Sequence, residues 1–173
     1  FKLAQVEPGQ IGVVVVSPGK GISRVFASLG VHGIVGGGQT MNPSTKEIVD
    51  AFNELVTDQI VILPNNKNII MAAQAARELT VKRLAVIPSR TIPQGLAAMI
   101  AFDPDGYFEA VVPAMETTIT EVQTGEITTA VRSVEIDGVR VEEGQIIALH
   151  NGKLVLAAGD LVEGCLAFLE HAR

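Results

Sequence analysis

Residues 11–16, IGVVVV, decide the fold of this chain. The run is continuous and β-branched except for one glycine, with Pro8-Gly9 before it and Ser17-Pro18-Gly19 after it. A strand that is apolar on both sides of its pleat has to be covered on both faces, which is typical of strands inside a parallel sheet. The sequence therefore predicts an α/β fold built on such a sheet.

Outward from this strand, strands and helices alternate with short polar links. Further strands are predicted at residues 31–35, 59–63 and 83–87, and helices at 21–29, 44–56, 67–79 and 94–102. Ser44-x-x-Glu47 has the pattern of a capping box, whereas Asn42-Pro43 offers an earlier helix start. We expect Asn65 and Asn66 to cap the helix that follows them. The alternation predicts a lobe over residues 1–123 with a four-stranded, mainly parallel sheet flanked by helices.

The pattern changes after the turn cluster at residues 103–106. A helix is predicted over 108–122, in which Pro113 is expected to cause a kink or to delay the start. Strands follow at 127–136, 139–141, 146–149 and 154–156, and Asn151-Gly152 is a strong hairpin signal between the last two. Asp160 is expected to cap a final helix. Residues 124–173 thus predict a small antiparallel, β-rich subdomain with a C-terminal helix.

Composition and charge exclude several classes of function. The 173 residues include 13 Lys and Arg against 19 Asp and Glu, for a formal net charge of −6. Nucleic-acid binding is not expected, because neutralising phosphates requires clustered cations. The single Cys165 excludes an intramolecular disulfide and a multi-cysteine metal site. We expect no membrane span and a cytoplasmic protein, and the start at Phe1 rather than Met suggests a fragment of a longer chain.

Four loops at the predicted carboxyl ends of the strands are rich in Asn, Gln, Ser, Thr and Gly, and ligands bind at this edge of parallel sheets. The candidate binding residues in these loops are Ser17, Lys20, Gln39, Thr40, Asn42, Asn65, Asn66, Lys67, Asn68, Arg90 and Gln94. We expect Lys20, Lys67 and Arg90 to form one basic surface for an anion or an acidic partner, since helix N-termini beside them also favour negative charge. The alternative is that the polar residues cap helices and turns while the cations stay solvated.

Catalytic machinery is not predicted. The Gly19-Lys20 segment is not a Walker A loop, because Val14 stands where that motif needs glycine. The three histidines have no second ligand at metal spacing. Ser17 and Ser89 end strands, yet no paired base accompanies either of them. We therefore expect no catalytic residue, no metal site and no cofactor in this chain; a self-contained hydrolase remains a minor alternative.

Four segments of the chain carry the motifs of a known family. They are residues 37–45 (GGQTMNPST), 63–69 (LPNNKNI), 91–98 (TIPQGLAA) and 130–138 (AVRSVEIDG). In this order they resemble the C-terminal region of DAK2-domain proteins, the ATP-binding subunits of bacterial fatty acid kinase and distant relatives of dihydroxyacetone kinase. The resemblance covers about residues 10–157.

This resemblance implies a non-catalytic, partner-binding and regulatory domain. In the family, the kinase site with its Mg-ATP belongs to an N-terminal helical domain, and neither that domain nor the middle domain is in this chain. The implied partners are a fatty-acid-binding protein of the DegV type, whose acyl carboxylate is then phosphorylated, and the kinase and middle domains of the same polypeptide. A homodimer is a further expectation.

The same loops are also similar to those of the DegV-type proteins themselves. Residues 40–44, 64–68 and 88–95 fall where that family has its Thr-Ser-x-Pro-Ser, Ser-Ser-Gly-Leu-Ser-Gly and Asp-Ser/Thr…Gly-x-Gly segments. This likeness implies a DegV-like first lobe. It also leaves open the alternative of a small-ligand module that binds an acyl or phosphate group at the strand ends. The serine that helps hold the fatty-acid head group there corresponds here to Pro64 or Asn65.

Overall fold

Four parallel strands form the sheet of the first of two compact units, the one that ends at Val122. The computed structural model of the chain describes residues 2–38, 40–136 and 138–173. The strands are β1 (Ile11–Ser17), β2 (Gly33–Gly36), β3 (Gln59–Leu63) and β4 (Arg83–Val86), in the spatial order β2-β1-β3-β4. All of β1 is buried. The predicted parallel sheet is confirmed, and β1 lies inside it as its apolar run requires.

Helices cover both faces of this sheet. They are α1 (Gly19–Ser28), α2 (Thr45–Asn53), α3 (Ile70–Ala75) with a 3-10 turn at Ala76–Leu79, α4 (Ile92–Ile100) and α5 (Phe108–Glu121). Val13 and Val15 pack on one face in a cluster with Phe26 and Met115. Val14 and Val16 pack on the other face, in a second cluster that includes Ile48, Phe52 and Ile69. Burying each such side chain contributes about 1.5–3 kcal/mol, so the alternating valines of β1 hold both helix layers.

Two local predictions about helix starts have clear outcomes. The capping box at Ser44 is confirmed: its side chain accepts from the Glu47 N–H at 3.2 Å, and its own N–H donates to the Glu47 carboxylate at 2.8 Å. These hydrogen bonds lower the pKa of Glu47. The helix therefore starts at Thr45, after Asn42-Pro43, because the box satisfies two N–H groups there. α5 begins at Phe108 and runs through Pro113, so the delayed start was wrong.

The expected capping of the third helix was wrong. α3 begins at Ile70, with Ile69 in the cap position and no side-chain cap. The side-chain oxygen of Asn66 instead accepts a hydrogen bond from the N–H of Asn68 at 2.9 Å, which forms a turn ahead of the helix. The helix is shorter than predicted for this reason, and its last residues form the 3-10 turn.

The second unit, from Gln123 to Arg173, consists of antiparallel strands and one helix. Its elements are β5 (Gly125–Thr129), β6 (Val134–Ile136), β7 (Val139–Val141), β8 (Ile146–His150), β9 (Lys153–Ala158) and α6 (Leu161–His171). β5, β8 and β9 form one sheet, and β6 pairs with β7. The hairpin at Asn151-Gly152 is confirmed, since both residues have positive φ, and so is the Asp160 cap. No helix in the described residues is long and apolar enough to cross a membrane.

The single strand predicted over 127–136 was wrong, because its two halves belong to different sheets. The chain leaves the first sheet at Ala130, whose N–H donates to the carbonyl of Gln145 at 2.8 Å. The carbonyl of Ala130 accepts from the Gly144 N–H at 2.9 Å. These two hydrogen bonds to a distant turn end β5, and pairing resumes at Val134 with β7.

His32 is buried at the entry to β2 and is held there as a neutral ring. Its Nδ1 accepts a hydrogen bond from the Val13 N–H at 3.0 Å, which requires that this nitrogen carry no proton. Its ring lies edge-on to Phe102, with 6.1 Å between centroids. Burial lowers the pKa of His32, because the charged ring would lose its hydration.

Acidification should therefore destabilise the fold through His32. The unfolded chain takes up this proton near its ordinary pKa of 6.5, while the folded ring takes it up only at lower pH. This contribution to stability is complete above that value and is lost as the pH falls below it. We expect a lower free energy of unfolding in urea at about pH 5.5 than at about pH 7.5. In H32N, whose side-chain oxygen can still accept from Val13, the decrease should be smaller, and equal decreases in both proteins would contradict this role.

Candidate functional site

The candidate site lies at the edge of the parallel sheet where its strands end. β1 is flanked by β2 on one side and β3 on the other. In sheets of this order the topological switch point falls between β1 and β3, and ligands bind in the crevice outside these strand ends. Pro18 and Gly19 follow β1 here, and Pro64 and Asn65 follow β3.

Asn65 joins three strand ends at this point. Its Nδ2 donates to the carbonyl of Val16 at 2.9 Å, and its Oδ1 accepts from the Ser89 hydroxyl at 2.9 Å. The backbone N–H of Asn65 also donates to Ser89 Oγ at 3.0 Å. Asn65 is only 6% exposed and Ser89 is fully buried. The chain's own carboxamide therefore fills the switch point and connects the ends of β1, β3 and β4.

The backbone at Asn65 is adapted to this position. Its φ is +56°, in the left-handed region that Asn tolerates better than other residues with a side chain. Gly95, in α4, provides the necessary room, because a Cβ there would lie 2.0 Å from Asn65 Oδ1. The helix can approach the strand ends this closely only because residue 95 is glycine.

The other predicted site residues divide into inward and outward groups. Ser17, Asn65 and Asn66 are buried, and Gln94 is half-buried. The exposed residues are Lys20, Thr40, Asn42, Lys67, Asn68 and Arg90. Gln39 lies outside the described residues. The exposed group is the part available to a partner.

Two of the inward residues have internal hydrogen-bond partners. Ser17 accepts a hydrogen bond from the hydroxyl of Ser23 at 3.2 Å. Gln94 accepts from the Arg90 N–H at 2.7 Å and donates to the carbonyl of Ile119 at 3.2 Å. Gln94 thereby fixes the loop that carries Arg90 to helix α5, so it is a positioning residue.

The three predicted cations lie on three neighbouring loops. Lys20 follows β1, Lys67 follows β3 and Arg90 follows β4, and these strands are adjacent in the sheet. Within the described residues the ion pairs are Lys46–Asp50 and Arg83–Glu109, so the three cations have no carboxylate partner there. That their side chains converge into one patch stays a prediction.

Charge is also segregated along the chain. From Ile11 to Ile100 there are eight Lys and Arg against five Asp and Glu, a formal net charge of +3 in a chain of −6. The loops at 17–21, 36–43, 64–69 and 87–95 contain no acidic residue. The strand-end edge is therefore positive within an acidic protein.

No catalytic arrangement was found in the part of the chain that the structure describes. Groups of three or more His, Cys, Asp or Glu that could hold a metal do not occur among those residues. Sequence reasoning missed one exposed residue at the edge, Met41, which is 62% exposed after β2. The glycine run at 36–38 just before it was the available signal.

The contact between Gly95 and Asn65 can be tested by a double-mutant cycle. G95A should destabilise the fold by forcing a methyl group against the Asn65 carboxamide. N65G should also destabilise it, by about 1–3 kcal/mol, because Ser89 and the Val16 carbonyl lose a buried partner. In the double variant the methyl group has space, so urea unfolding should show a coupling of about 1 kcal/mol or more.

Gly21 provides the control, since nothing lies within 4 Å of a Cβ built there. G21A should be neutral or slightly stabilising, because alanine favours a helix. If the effects of G95A and N65G simply add, the close approach of α4 does not depend on this pair.

Comparison with known proteins agrees with the motifs in these loops. The sequence matches the FakA-like C-terminal family (fatty acid kinase, A-type subunit) over residues 12–172. It is 43% identical to protein YloV of Bacillus subtilis (strain 168) over 144 residues, which is 83% of this chain and 26% of that protein. It is 37% identical over 156 residues to an uncharacterized protein of Staphylococcus aureus (strain USA300), covering 90% of this chain and 28% of that protein.

An uncharacterized protein of Staphylococcus aureus (strain N315) matches over the same length with the same identity. The chain thus spans about a quarter of the length of the curated relatives it matches. The family match extends over both compact units and includes the strand-end loops. The chain belongs to the FakA-like C-terminal family of fatty acid kinase subunits.

Proposed function

We propose that this chain is a non-catalytic, partner-docking and regulatory domain of a fatty-acid-kinase-type protein. Its partner is a fatty-acid-binding protein of the DegV type, whose acyl carboxylate is phosphorylated by a kinase domain outside this chain. The docking surface is the strand-end edge of the first unit. Membership of the kinase-subunit family supports the process, and the charge of the edge supports the surface. The reaction consumes ATP, which favours a cytoplasmic location.

The single observation that carries this proposal is the filled switch point beneath a positive edge. A small-ligand module of the DegV kind needs open space between the ends of β1 and β3. The Asn65 carboxamide lies in that space and is hydrogen-bonded to Val16 and Ser89. Opening the crevice would leave these buried groups without partners, at a cost of about 1–3 kcal/mol for each group. The geometry therefore favours an exposed protein-binding surface over a recess for an acyl or phosphate group.

Electrostatics favours an acidic partner at this edge. Lys20, Lys67 and Arg90 are exposed, on loops without acidic residues. Exposed charges of this kind mainly increase the association rate and make binding sensitive to salt. The sheet supplies a firm base for them, because Asn65 and Gln94 bind the loops to the strand ends and to α5.

Catalysis is assigned to the parts of the family's proteins that lie outside this chain. We expect the purified chain with Mg²⁺ and ATP to release no more ADP than a mock preparation carried through the same purification. A coupled ADP assay measures this directly. ADP release above the mock level that increases with the amount of chain would contradict the non-catalytic role.

Reversing a charge at the edge tests the docking surface. K67E should weaken binding to the fatty-acid-binding protein, and the loss should shrink as salt rises, because ions screen exposed charges over about 10 Å at 0.1 M salt. Titration calorimetry at low and high salt measures both effects.

K2E is the matched control, with the same change in charge. Lys2 is exposed near the opposite edge, since the Ala4 N–H donates to the carbonyl of Val31 just ahead of β2. K2E should leave the affinity nearly unchanged. Equal losses for K67E and K2E would mean that only net charge matters and that the edge is not the docking surface.

A further inference from the structure

We infer that Met41 is the apolar anchor of the docking edge, so that the partner presents an apolar pocket bordered by carboxylates. This inference rests on the proposed function and names the surface chemistry of the partner. Met41 is 62% exposed in the loop that follows β2. It is a large apolar side chain in a loop region that is otherwise polar and glycine-rich.

The backbone around Met41 is held by its own contacts. The Gly38 N–H donates to the carbonyl of Met41 at 2.8 Å, which closes a tight turn. A Cβ at Gly37 would lie 2.7 Å from Pro43 Cδ and 2.8 Å from Val16 Cγ1, so the loop packs directly on the end of β1. A side chain on such a backbone can be buried by a partner at a smaller entropic cost than one on an unrestrained loop.

Contacts along the edge connect this turn to the loops that carry the cations. A Cβ at Gly38 would lie 2.9 Å from Pro18 Cβ, and Pro18 directly precedes the helix that contains Lys20. From β1 the connection continues through the hydrogen bond of Asn65 to Val16, and from Asn65 to Ser89. Met41 is therefore joined, loop by loop, to the segments that carry Lys20, Lys67 and Arg90.

An apolar anchor and a cationic border contribute to binding in different ways. Binding hot spots are side chains that become fully buried in a pocket, surrounded by polar contacts of small energetic effect. Methionine is suited to this role because its unbranched thioether adapts to the shape of a pocket. Burial of Met41 should contribute affinity that does not depend on salt, whereas the contribution of Lys67 should decrease with salt.

The test compares M41A, M41L and I100A in titration calorimetry. The probe is the DegV-type fatty-acid-binding protein of the same organism, loaded with a long-chain fatty acid. Ile100 is the matched apolar control, being 81% exposed at the far end of α4, away from the strand-end edge. Each variant is measured at about 0.05 M and about 0.5 M salt, and thermal unfolding confirms that it is folded.

We expect M41A to bind about 10-fold more weakly or worse at both salt concentrations, while M41L stays within about threefold of the wild type and I100A is unchanged. If the wild type binds but M41A binds as I100A does, the anchor is wrong and the proposed function stands. An M41A loss that disappears at high salt also overturns the anchor. If the wild type does not bind the loaded protein at all, the proposed function fails and the anchor fails with it.

Discussion

A single buried carboxamide determines the geometry of the strand-end edge. Asn65 bonds to the carbonyl of Val16 and to Ser89, so the ends of β1, β3 and β4 cannot move apart without leaving buried polar groups unpaired. Its left-handed backbone is maintained by these bonds, in the way that strained positions persist where the surroundings determine them. The same side chain requires glycine at position 95 and so sets how closely α4 approaches.

This constraint separates the roles of the polar residues in the loops. Those that point inward, such as Asn65 and Gln94, have internal partners and fix the loops. Those that point outward, such as Lys20, Lys67 and Arg90, are left at the surface on a base that is already ordered. In many sheets of this order the switch point holds a ligand, whereas here the protein occupies it and the surrounding surface remains for recognition.

Predictions from the sequence succeeded where the determining signal is local. The buried run of β1, the Ser44 capping box and the Asn151-Gly152 turn each depend on residues close together in the chain. The role of Asn65 could not be predicted in this way, because its partners Val16 and Ser89 are 49 and 24 residues away. The break between β5 and β6 depends likewise on hydrogen bonds from Ala130 to a distant turn. Exposure of Met41 follows from loop packing, which no periodic pattern encodes.

Hydrogen exchange of the backbone, with and without the fatty-acid-loaded partner, tests the central claim most directly, since it locates the surface without any substitution. We expect the partner to slow exchange in the strand-end loops, at residues 17–21, 36–43, 64–69 and 87–95. Exchange around Asp103–Gly106 should stay unchanged, because this turn lies beside the opposite end of β1, where the Ile11 N–H donates to the carbonyl of Pro104. Protection confined to that turn or to the second unit, with the four loops unaffected, would contradict docking at the strand-end edge.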